Sequence, residues 1–139
     1  MPRWTFDITL GLLTADEKKT LATSITKIYT DLGFPQFWVN VFFHETKPEN
    51  FYTGLESGNH AFFVINHAAK TFESEEQRLW FHDLVASTVK PIFDPKDIHW
   101  EYNIYQHPAD NWRVQGMIPP VHNPDALKQW VEQNKTIPY

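Results

Sequence analysis

A strand-helix-strand pattern occurs twice in this chain, in the same order and about 60 residues apart. In "RWTFDITL", Trp4, Phe6, Ile8 and Leu10 alternate with Arg3, Thr5, Asp7 and Thr9, the period of a half-buried strand. In "LTADEKKTLATSITKIYTDLG", Leu21, Ile25, Ile28 and Leu32 recur at helical spacing. Thr14 with Glu17 makes a capping box at its start, and Gly33 supplies a C-terminal stop. "FWVNVFFHE" (37–45) is the second strand, with aromatic and β-branched content that predicts burial on both faces. The series then repeats. "AFFVINH" (61–67) reads as a strand, Ser74 with Gln77 as a second capping box, and Phe81, Leu84, Val85, Thr88 and Val89 as one helix face that Pro91 ends. "IHWEYNIYQ" (98–106) is the closing strand.

A helix-length crossover forces the two strands of a unit to run parallel. Two such units side by side give an α+β fold, a four-stranded sheet with two helices on one face. The repeats cover about 2–46 and 61–107. The turn-rich stretch between them holds a short strand around 51–55. A C-terminal extension (108–139) ends in a short helix, with Asn123 as N-cap and Pro124 at its first position, docked on the body or on a neighbouring subunit. At 139 residues, 42% hydrophobic and 16% aromatic, the whole is expected to be one packed domain.

Composition removes several function classes. The net charge is −5 and the basic residues are scattered, which argues against nucleic acid as a partner. No apolar run approaches a membrane span and no signal-peptide pattern opens the chain, so a cytoplasmic protein is expected. There is no cysteine, hence no disulfide, thiolate metal site or thiol nucleophile. Gly-rich phosphate loops and GxSxG elbows are missing, and no two of the seven histidines stand at i,i+4 on one helix, so no metal site is expected.

What remains is the start, "MPRW". A proline in second position is ordinary by itself. Removal of Met1 would nevertheless expose a secondary amine beside an apolar strand face. A free α-amino group has a pKa of roughly 7.7–8.0, and burial lowers it. Such an amine is a competent general base near pH 7, or a nucleophile toward a carbonyl.

An amino-terminal proline, a duplicated β-α-β unit and the segments "LTADEKKTLATSITKIYTDLGFPQFWVNVFFHE", "INHAAKTF", "IHWEYNIYQHPADNWRVQGMIPP" and "WVEQNKTIPY" resemble the tautomerase superfamily. The resemblance is closest to its cis-chloroacrylic acid dehalogenase-like, fungal-type branch and spans nearly the whole chain. It implies a homotrimer with sites near subunit interfaces, a small carboxylic acid substrate and no cofactor. It makes Pro2 the catalytic amine, and Lys70 the binder of substrate carboxylate, where relatives tend to carry arginine. Tyr29 stands where the dehalogenases hold a histidine. Tyr102 matches a tyrosine that activates water or orients substrate. Arg113 lies near enough in sequence to stabilise an enolate, Trp112 to wall the pocket, and His67 opens the Lys70 loop, where a structural hydrogen bond is the favoured role. Hydrating and dehalogenating members carry a glutamate hereabouts; Val114 and Gln115 occupy that stretch here, and neither is a base. Keto–enol tautomerisation of a 2-oxo acid is therefore expected, and efficient dehalogenation is not. Two rival readings are a non-catalytic module that keeps the acid pocket and a cofactor-free enzyme on a dimeric α+β-barrel.

Overall fold

The structure is a computed structural model that describes residues 1–68 and 71–139. The first unit comprises β1 (Arg3–Thr9), α1 (Ala15–Asp31) and β2 (Asn40–Thr46). A small hairpin follows, β3 (Tyr52–Thr53) with β4 (Glu56–Ser57). The second unit comprises β5 (His60–His67), α2 (Glu75–Phe93) and β6 (His99–Gln106), and α3 (Pro124–Gln133) comes last. The sheet order is β2-β1-β5-β6. β1 pairs parallel with β2 and β5 parallel with β6, while β1 and β5 join the units antiparallel at the centre. The parallel partners touch directly, with no strand between them, unlike the split β-α-β unit of ferredoxin-like folds.

Register stacks aromatic rings across the whole sheet. Phe43, Phe6, Phe63 and Tyr102 are successive partners on the four strands. Their ring centroids are 5.2, 4.6 and 4.9 Å apart. Offset stacks of this kind add about 0.5–1.5 kcal/mol per pair beyond area burial. Trp4 joins the stack on Phe63 at 5.8 Å. Over this face lie Leu21, Ile25, Ile28 and Tyr29 of α1 and Phe81, Val85, Val89 and Phe93 of α2. Among the described residues no helix covers the opposite sheet face, and Phe42 is 40% exposed there beneath the Arg3 guanidinium.

Four local expectations need correction. The second strand starts at Asn40, because residues 36–38 form a 3₁₀ turn that drops Trp38 into a separate core. It is an edge strand and not buried on both faces: Val41 and Phe43 pack on the helices, while its other side stays open. Pro91 does not end α2, which runs on to Phe93. One missing amide near a helix end costs one hydrogen bond, and the fully buried Phe93, edge-on to Phe6, draws the last turn through. The Ser74 cap is also incomplete as a box: Ser74 Oγ accepts from Gln77 N, but the Gln77 side chain accepts from Glu73 N. At α1 both halves of the box are made.

The C-terminal extension docks on its own body. Trp130 of α3 and Trp112 meet Trp38 edge-on, at 6.2 and 4.7 Å. Trp130 Nε1 donates to Ile137 O, and Asn134 Oδ1 at the helix end accepts from Phe37 N. Met1 packs against this second core, so the chain start lies between the two cores.

Candidate active site

Pro2 is buried where β1 begins, held by Asn40 N donating to its carbonyl at 3.0 Å. It forms part of the wall of an open cleft of about 100 Å³. Two helix ends build the rest. Past α1 the chain closes a Schellman motif: Phe34 N donates to Tyr29 O, Gly33 N donates to Thr30 O, and Gly33 takes φ +85°. That cap sets Tyr29, Leu32 and Phe34 on one wall. The first turns of α2 set Gln77, Trp80 and Phe81 on the other, with Thr71 and Phe72 from the loop before it. Gln106 Oε1 accepts from Phe72 N, and His107 N donates to His67 O, which ties both ends of that loop to β6 and the residue after it.

Of the expected site residues, the fold brings Pro2, Tyr29 and His67 together on this cleft. Tyr29 Oη is 2.8 Å from Trp4 Nε1 and 2.6 Å from His67 Nε2. Burial pushes the Tyr29 phenol up, and the indole hydrogen bond only partly offsets it. Burial drives His67 down to about 4, helped by the positive charge of the chain terminus. The terminal amine here belongs to Met1, with Pro2 N in the amide bond. Burial lowers that amine from its usual 8.0 to about 4.

Tyr102, Arg113 and Trp112 do not line the cleft. Tyr102 lies 2.5 Å from His82 Nδ1, its phenol pushed up by burial and by Asp83. Arg113 Nη1 donates to the carbonyls of Asp110 and Trp112, pinning its own loop. Trp112 belongs to the second core. Lys70 lies outside the described residues. Gln115 takes φ +49° beside Gly116 at +81° in a two-residue turn bridged by Val114 and Met117, and its side chain accepts from Thr136 Oγ1. Sequence reasoning missed Leu32, Phe34, Phe72 and Trp80. The usable signals were the Gly33 stop, which fixes the residues around it, and Trp80, an aromatic beside the buried face of α2. Among the described residues no group of three or more His, Asp or Glu converges to hold a metal ion.

The family model described as "Putative oxalocrotonate tautomerase enzyme" matches residues 1–135. The chain belongs to the tautomerase superfamily. Among solved structures, this superfamily member is similar to a "probable enzyme" from the thermophilic fungus Aspergillus fumigatus, with 36% identity, TM-score 0.94, and coverage of 100% of this chain and 98% of that one. It is similar as well to RhCC from Rhodococcus jostii RHA1, at 31% identity and TM-score 0.93, covering 99% of each chain. More distant structures share the fold. N1, of the cis-3-chloroacrylic acid dehalogenase family, has 14% identity and TM-score 0.69 over 94% of this chain and 99% of that one. A fused 4-OT asymmetric trimer has 15% identity and TM-score 0.67 over 87% of this chain and 98% of that one. No curated protein matches the chain. Membership and the direct parallel strand pairs remove the dimeric α+β-barrel alternative. No helix among the described residues is long and apolar enough to cross a membrane.

Proposed function

We propose that this protein is a tautomerase in which removal of Met1 frees the Pro2 amine to act as general base. The amine takes a proton from the carbon beside the carbonyl of a small 2-oxo or unsaturated carboxylic acid and returns it elsewhere. The observation that carries this reading is the position of Pro2 on the cleft, beside two neutral side chains, where burial already keeps the chain's terminal amine uncharged at pH 7. A proline amine is intrinsically more basic than that of methionine. Burial at this place favours the uncharged form of an amine, the form that can act as a base. Family membership supports the reaction class.

In this reading Lys70 binds the substrate carboxylate. Arg113 and Tyr102 serve a cleft only across a subunit boundary, which fits a homotrimer and the trimeric state of a structural neighbour. Gln115 is neither acidic nor unengaged, so hydrolytic dehalogenation is not expected to be efficient.

The test begins with the intact mass, which must show Met1 gone from the active protein. Pro2→Ala is then expected to lower kcat/KM on an enol such as phenylenolpyruvate by about 10²–10⁴-fold, the worth of a positioned base. A chain with an added N-terminal residue, its proline again an amide, should be inactive. Full activity in either variant overturns the proposal. Binding of the acid without hydrogen exchange at its carbon would instead mark a non-catalytic binding module.

A further inference from the structure

Trp4 does not line the cleft, yet it terminates a hydrogen-bonded row that does. The row runs from Trp4 Nε1 through Tyr29 Oη, 2.8 Å away, to His67 Nε2, another 2.6 Å on. Exposure is 0% at Trp4, 3% at Tyr29 and 6% at His67. Taking from the proposed function only that this cleft is where a substrate proton is moved, we infer that Trp4 is a positioning residue: its indole N–H directs the Tyr29 proton onto His67 Nε2 and fixes His67 as the Nδ1–H tautomer.

The direction follows from which groups can donate. An indole N–H is a donor and nothing else. The Tyr29 oxygen must therefore accept from Trp4, and its own hydrogen needs an acceptor. Among the described residues His67 Nε2 is the one within reach. That nitrogen must then carry a lone pair, so the ring proton sits on Nδ1. The opposite assignment would aim two N–H groups at one phenol oxygen and leave a buried hydroxyl hydrogen without an acceptor, an arrangement proteins avoid. Burial of the ring, which favours its uncharged form, agrees with this assignment.

The consequence is chemical. His67 Nε2 is occupied by Tyr29, Nδ1 is protonated, and the Tyr29 hydroxyl is committed to His67. The one basic lone pair of the row, on His67 Nε2, is then engaged, and the neutral Tyr29 phenol is too weak a base for the substrate proton, which leaves that task to the amine. An uncharged His67 also avoids repelling the amine's proton, so the amine keeps its basicity.

The experiment is NMR of protein labelled with ¹⁵N at histidine, followed from pH 5 to 8 without substrate. His67 is expected as one neutral form protonated at Nδ1, the minor tautomer of free histidine. Trp4→Phe removes the N–H and keeps an aromatic ring. It should abolish the exclusive Nδ1–H signal and lower kcat with little change in KM. Tyr29→Phe breaks the row at its middle and serves if the Trp4 variant does not fold; it should return His67 to the Nε2–H form. An Nε2–H ring in the unsubstituted protein, or an Nδ1–H ring that persists in folded Trp4→Phe or Tyr29→Phe, overturns the inference. The two proposals can fail separately: an Nδ1–H ring alongside a fully active Pro2→Ala variant keeps the row and removes the proline base.

Discussion

His67 refuses a proton at a pH where histidine ordinarily takes one. Its pKa is held down to about 4, against 6.5 for an unperturbed ring, because burial disfavours the cation. Between those values the unfolded chain binds a proton that the folded chain does not. Stability therefore rises with pH across this window, is fully present above about 6.5 and is lost as pH falls toward 4. While Met1 is attached, its buried amine acts in the same direction, from its usual 8.0 down to about 4. For the ring alone the linkage is worth about 3 kcal/mol at most. Urea unfolding of the native protein should show that loss between pH 7 and 4, and His67→Gln should flatten the curve. An equally steep curve in His67→Gln would place the acid sensitivity on other groups.

At the scale of elements, the cleft depends on how α1 stops. Gly33 holds φ +85°, and a Cβ there would meet nothing within 4 Å, so a substitution is strained in its backbone and not by contact. Gly33→Ala is expected to cost about 1 kcal/mol in chemical denaturation. It should also raise KM, since Tyr29, Leu32 and Phe34 owe their placement to that cap. A substitution that lowers stability with KM unchanged would show that the wall is set by packing alone. The helix ends were the readable part of these elements. Thr14, Gly33 and Asn123 act through local hydrogen bonds and local φ, and all three cap or stop helices where their residue types predict. Pro91 misled for the converse reason, since its local preference was overridden by the burial of Phe93.

Taken as a whole molecule, the described residues leave one sheet face without helices and hold Arg113, an expected site cation, off the cleft. Both facts fit the proposed homotrimer. Phe42, 40% exposed on that face, is a place to test it. Phe42→Asp should shift the sedimenting species from trimer toward monomer while leaving the helix content unchanged. A trimer that persists would place the interface elsewhere. The duplicated β-α-β order, the parallel pairing inside each unit, the caps at Thr14, Gly33 and Asn123 and the presence of a C-terminal helix could all be argued from the sequence, but not that this helix docks on its own body. Each follows from side-chain period, crossover length or a capping residue, which are local properties. Only the tertiary structure decided that Tyr29 and His67, 38 residues apart, share a hydrogen bond beside Pro2, and that Trp4 completes the row. It also decided that Trp112 belongs to a second core and that Arg113 pins its own loop away from the cleft. Such placements depend on sheet register and helix packing across long loops, where the position of one side chain is fixed by the packing of many others and not by its near neighbours in the chain.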